Sequence, residues 1–254
     1  MNKFTNSLKE FFAHIKWWEY LYMALIYIAM IVFGVVFSSG ALVIINAIIS
    51  STAIFFIAKG MVIGNILGIG QCVLYSVISY FNNFYGEMIL CLCITMPIYI
   101  ASICTWIRNL RKKEKVVKVN RMLSVKEWAI SIIVIACMTV GVYFLLRALN
   151  TANLIVSTVN VGINIMSGYL LIRRSEFNFI FYILNNIVSI VLWATVIAGG
   201  ATNNVPTLVL FIVFLILNII GFVNWIRLKK SQAKDGEEGE DKSALEVKQI
   251  EEEN

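Results

Sequence analysis

Apolar residues come in eight long blocks separated by short polar or glycine-containing breaks, and each block is close to the ~20 residues a helix needs to cross a bilayer. The blocks run Glu19 to Phe37, Ala41 to Ala58, Met61 to Phe81, Met88 to Ile107, Val125 to Leu146, Ala152 to Ile172, Phe177 to Ala198 and Val205 to Ile226. Breaks such as Ser38-Ser39-Gly40 and Lys59-Gly60 leave room only for antiparallel neighbours. The pattern predicts an all-α integral membrane protein of about eight transmembrane helices. In the seventh block Phe179, Tyr182, Asn186, Ser189 and Trp193 fall on one stripe at about 100° per residue, among Ile180, Ile183, Ile187 and Ile190. In hydrocarbon an amide must find a partner or face a cavity. The stripe therefore reads as a substrate-binding face, with the alternative that Asn185, Asn186 and Ser189 tie packed helices together. Gly64, Gly68, Gln71, Tyr75 and Asn82 share a face of the third block in the same way.

Composition agrees: 59% of the residues are hydrophobic and 14% charged, against about 25% charged in a soluble domain. The net charge of +6 is explained by topology rather than nucleic acid, because Lys and Arg flank the apolar blocks. Arg108, Arg111, Lys112, Lys113, Lys115, Lys118, Arg121 and Lys126 crowd the loop after the fourth block; Arg173-Arg174 follow the sixth, and Arg227, Lys229 and Lys230 the eighth. These ends belong in the cytoplasm. Lys59 and the leader with Lys3, Lys9 and Lys16 then fall on the same side, so both termini are expected to be cytoplasmic in a multi-pass plasma-membrane protein. Anionic-lipid contact is the alternative use of the Arg108 to Lys126 run. The leader 1–18 suits an interfacial helix, with Trp17 and Trp18 at the membrane surface. The stretch 231–254, rich in Glu, has too little apolar surface to fold alone and is expected to be a disordered acidic tail.

An internal repeat organises the blocks. Trp106-Ile107-Arg108 at the end of the fourth lies on Trp225-Ile226-Arg227 at the end of the eighth. Residues 41–107 and 152–230 then form two parallel three-helix repeats, joined by a basic loop and linker helix over 108–151 and preceded by an extra helix at 19–40. An odd number of helices per repeat requires such a linker for both copies to share one orientation, the 3+1+3 arrangement found in SWEET transporters.

No Asp, Glu, Lys, Arg or His sits mid-block, so proton coupling is disfavoured, while sodium coupling through carbonyls and hydroxyls stays open. What the interior offers is amides, hydroxyls and aromatics. Gln71, Tyr75, Asn160, Asn164, Phe179, Tyr182, Asn186, Ser189 and Trp193 are the candidate substrate-binding residues, suited to a flat ring stacked on aromatics. Asn160 and Asn164, one turn apart, suit helix packing better than Asn186 does. The five cysteines lie in apolar blocks, and neither a disulfide framework nor a metal site is implied. No P-loop, nucleophile elbow or zinc pattern is present, so no enzyme activity and no cofactor are expected.

The sequence resembles the PnuC family of bacterial vitamin transporters, best known for nicotinamide riboside. The resemblance is carried by Gln71 with Leu74-Tyr75, Tyr85-Gly86-Glu87-Met88 leading to Met96-Pro97 and Trp106, Leu123-Ser124-Val125-Lys126-Glu127-Trp128, and Asn186-Ile187-Val188-Ser189-Ile190. It implies a 3+1+3 core, homotrimers, and facilitated diffusion of a small-molecule substrate drawn inward by a cytoplasmic kinase. The family's Trp-x-x-Trp-x-x-x-Asn appears as Phe179-x-x-Tyr182-x-x-x-Asn186, and Gly168 stands where a Gln is expected. Thiamine, riboflavin and other nucleosides remain alternative substrates, and a non-transporting scaffold or receptor is the alternative from another class.

Overall fold

The structure is a computed structural model that describes residues 15–81, 85–111, 115–120, 123–149, 154–200 and 205–252, the last stretch by backbone alone beyond 235. The expected leader helix and Asn82 lie outside the described residues. Eight helices among those described are long and apolar enough to span a membrane. They are α1 (Trp17–Val36), α2 (Ala41–Ala58), α3 (Ile63–Phe81), α4, α5 (Val125–Ala148), α6 (Leu154–Ile172), α7 (Phe177–Ala198) and α8 (Val205–Glu252). The fourth, α4, joins Tyr85–Leu90, a π-helical turn Cys91–Thr95 and Met96–Arg108. Pro97 explains that turn: it lacks the N–H that would bond the carbonyl four residues back, and its ring crowds that carbonyl.

Six helices close into a ring in the order α2, α3, α4, α6, α7, α8, each packing chiefly on its two neighbours. Outside the ring, α1 rests on α2 and α8, and α5 rests on α6. The units α2–α3–α4 and α6–α7–α8 occupy corresponding places. They meet through α8 on α2 and α4 on α6, and one tryptophan seals each junction. Trp106 Nε1 donates to the Leu171 carbonyl at 3.0 Å and Trp225 Nε1 to the Ile57 carbonyl at 2.9 Å. The two rings meet across the centre at 5.5 Å. The turns that receive them also match. Gly60 and Met61 donate back to Ile57 and Phe56, as Arg174 and Ser175 donate back to Leu171 and Leu170. This closure needs a left-handed residue. Gly60 supplies it freely at φ 71°, whereas Arg174 adopts φ 58° with a side chain and is held by Nη1 donating to the Lys118 carbonyl at 3.2 Å.

The ends of α2, α4 and α6 that carry Lys59, Arg108 and Arg173 lie together with the turn of α8 that carries Arg227, and this basic end of the ring is closed. Ile57, Ala58, Trp106, Leu171, Phe179 and Trp225 form one buried cluster there, completed by Val117 and Val119. These valines belong to an antiparallel hairpin, β1 (Leu110–Arg111) and β2 (Val116–Val117), that the helical pattern did not predict. It bridges both units: Val117 N donates to the Gly60 carbonyl and Asn120 N to that of Arg174. The carboxylates at this end are paired, Glu19 with Lys59, Glu176 with Lys229 and Glu127 with Arg173.

The backbone of α8 stays helical beyond Lys230, to Glu252. Gln232 makes the first part of that extension useful: its Nε2 donates to the Val117 carbonyl at 3.0 Å and its Oε1 accepts from Val119 N at 2.9 Å. Arg111 Nη2 donates to Asp235 at 3.0 Å beside them. Lys, Glu, Gln and Ala beyond this point are good helix formers, whereas Gly236 and Gly239 are poor ones.

Candidate functional site

The stripe on α7 divides by depth. Phe179, nearest the basic end, is fully buried and packs edge-on against Trp225 at 5.5 Å. Gly221 of α8 is so close that a Cβ there would sit 2.4 Å from the Phe179 ring. Phe179 is therefore part of the packed closure of the ring at its basic end. Tyr182, one turn further in, is half-buried. It lies within electrostatic reach of Cys72 on α3 and of Tyr99 on α4. Since α3 and α7 are not neighbours in the ring, these side chains approach one another from across its centre. Tyr99 is set there by Gly68, whose missing Cβ would fall 2.6 Å from the ring.

The amides of α7 have two roles. Asn185 Nδ2 donates to the Asn160 side-chain oxygen at 2.8 Å and to its carbonyl at 3.2 Å, while Asn160 Nδ2 donates to Ser189 Oγ at 3.2 Å. Asn160 and Ser189 are thus brought together as ties between α6 and α7. Asn164, one turn from Asn160, is exposed and takes no part in this network. Asn186 differs. It is 3% exposed, and its Nδ2 has no hydrogen-bond partner among the described residues. A buried amide left unpaired costs about 1–3 kcal/mol, and this N–H is free to donate a hydrogen bond.

The other candidates lie on facing walls. Gln71 and Tyr75 are half-buried on α3, and Cys72 Sγ approaches Gln71 Oε1 at 3.9 Å. Trp193 is half-buried toward the far end of α7. Gly168 lets α6 approach α4 so closely that a Cβ would meet Ile98 at 2.4 Å. A glutamine side chain there would displace Ile98.

Some buried polar positions lie outside the candidate set. Asn65, Ser102, Ser167 and Asn178 are fully buried with unpaired side-chain atoms. Asn65 and Asn178 open α3 and α7, and Ser102 and Ser167 lie in the last two turns of α4 and α6. They therefore occupy the half of the ring nearest the basic end. Only the contrast of single polar residues with apolar surroundings could have signalled them. Tyr99 is an interior aromatic whose spacing along α4 does not link it to α7. No group of His, Cys, Asp or Glu able to hold a metal ion occurs among the described residues.

Comparison with known proteins gives this architecture a family. Residues 40–227 match the family described as nicotinamide mononucleotide transporter. The nicotinamide riboside transporter PnuC of Neisseria mucosa is 27% identical over 176 residues, covering 66% of this chain and 65% of that relative's length. PnuC of Haemophilus influenzae is 27% identical over 190 residues, covering 73% of this chain and 83% of the relative. The crystal structure of the vitamin B3 transporter PnuC has the same fold, with a TM-score of 0.74 at 24% identity over 87% of this chain and 96% of the other. With the family match spanning most of the ring, this multi-pass membrane protein belongs to the nicotinamide mononucleotide transporter family.

Proposed function

We propose that the protein takes up nicotinamide riboside or a similar B-vitamin precursor by facilitated diffusion, with the substrate trapped by phosphorylation on the far side. The observation that carries this reading is Asn186, a buried amide with no partner on a helix that lines a six-helix ring. Tyr99 and Tyr182, beside it in depth, offer ring faces to a flat aromatic base, and a cationic pyridinium would gain from them in addition. The basic end faces the cytoplasm by the distribution of Lys and Arg, which puts both termini inside. In this state the passage is shut on that side by Trp106, Trp225, Phe179 and the hairpin valines. Delivery then requires α4 and α8 to part at their tryptophans. The oligomer is a trimer, as the family resemblance implies, and a cytoplasmic kinase is the functional partner.

Uptake of radiolabelled nicotinamide riboside by proteoliposomes tests the reading. Saturable flux, competed by the unlabelled compound but not by thiamine or riboflavin, is the expected result. Competition by thiamine or riboflavin instead would reassign the substrate, and flux that never saturates would end the transporter reading.

A further inference from the structure

A cavity of about 690 Å³ lies outside the ring. It is a wedge between α4 and α5, which share no extensive contact, floored by α6. Pro97 and Ala101 form one wall, Ile130, Val134 and Met138 the other, and Ile165 the floor. Ile130, Val134 and Met138 are exposed, so the wedge opens sideways to the surroundings of the bundle.

Its polarity is one-ended. Ser124, Lys126, Glu127 and Tyr169 line it at the basic end. Deeper in, Ser131 uses its hydroxyl on the Trp128 carbonyl at 2.9 Å. Glu127 is neutralised at the mouth: Tyr169 Oη donates to it at 2.9 Å and Arg173 Nε lies 2.5 Å away. Lys126 is exposed and has no acidic partner among the described residues. Arg174 follows Arg173 in the chain. The mouth therefore carries an excess of positive charge over an apolar slot.

The slot has the depth of one leaflet. From Ser124 to Met138, the lining on α5 extends about 21 Å at the ~1.5 Å rise of a helix. Half of a bilayer that is ~40–45 Å thick with its head groups is about the same. We propose that this wedge is a binding site for one phospholipid with an anionic head group. Its acyl chain lies between α4 and α5 against α6, and its phosphate meets the Lys126 ammonium beside Arg173. An apolar slot with charge only at the depth of the head groups fits a lipid of that leaflet. A second copy of this chain would not need the charge and the depth to coincide. This inference rests on the membrane fold and not on the transport reading.

Native mass spectrometry of the detergent-purified protein, titrated with palmitoyl-oleoyl phosphatidylglycerol or its phosphatidylcholine counterpart, tests the proposal. One lipid adduct per chain is expected, with phosphatidylglycerol preferred. Lys126→Gln should weaken that preference about fivefold while leaving phosphatidylcholine binding alone, as one lysine near an anionic head group implies. Ala101→Trp should fill the slot and remove the adduct; Val134→Trp, on the exposed opposite wall, should do the same if Ala101→Trp fails to fold. An adduct that persists in the folded tryptophan variants would overturn the site, as would equal binding of both lipids by the wild type. A change of oligomeric state in those variants without loss of lipid would assign the face to a second copy and equally overturn it.

Discussion

At the scale of single residues, neighbours on one helical stripe have different jobs. Asn186 is buried with an unpaired Nδ2, whereas Asn185 and Ser189 are held by Asn160. Replacing Asn186 with Leu should leave insertion and folding intact, since it removes a polar group that no protein atom partners. Binding should weaken by about tenfold to a hundredfold, the effect of roughly 1–3 kcal/mol for a lost polar contact. Substrate titration of the purified variant measures this, and unchanged affinity with lower stability would make Asn186 a packing residue. Phe179 predicts the opposite pattern. Fully enclosed by Trp225 and Gly221, it should on truncation to Ala lower stability by about 3–5 kcal/mol. The midpoint of thermal unfolding is the readout.

At the scale of elements, the hairpin after α4 and the extension of α8 behave as one fastening. Gln232 satisfies both a carbonyl and an N–H of the chain at Val117 and Val119, which are themselves buried over the tryptophan pair. Substituting Gln232 by Ala strands these two backbone groups at a cost of about 1–3 kcal/mol. Hydrogen exchange at the Val119 amide should then quicken markedly while exchange in the middle of α2 and α7 stays as before. Equal protection in both proteins would mean that β1 and β2 hold their place without α8. Since the hairpin donates to Gly60 in one unit and to Arg174 through Asn120 in the other, loosening it should also ease the parting of α4 and α8.

At the scale of the whole molecule, apolar blocks that hold no Asp, Glu, Lys, Arg or His in their middles predict uncoupled transport. Moving a solute uphill requires a second species whose binding shifts the conformational balance, and a proton can do so only through a titrating group in the pathway. The buried carboxylates Glu19 and Glu176 sit at the basic end and are paired with Lys59 and Lys229. Proteoliposomes filled with buffer should therefore equilibrate the substrate and stop, and neither an imposed pH gradient nor a sodium gradient should raise the plateau. Enclosing a kinase and ATP should raise it. Concentrative uptake on either ion gradient without the enzyme would sink this account and direct the search to the hydroxyl and carbonyl groups.

Hydropathy is a property of short windows, and what depends on it was legible in the sequence by itself. The spans were, to within two residues at most ends, with α2 and α7 matching throughout, because a bilayer demands internal hydrogen bonding and apolar surface from each helix separately. The match of Trp106 with Trp225 was legible too, though not that each would cap the other unit. Contacts between helices are another matter, for a stripe on one helix does not say which neighbour will meet it. Only the tertiary structure placed Phe179 against Gly221, turned Asn160 and Ser189 into ties, and left Asn186 unpaired. The hairpin and the continuation of α8 depend on each other across more than a hundred residues, as the bond from Val119 to Gln232 records. No local pattern can report such a pairing, since either partner alone is an ordinary polar segment.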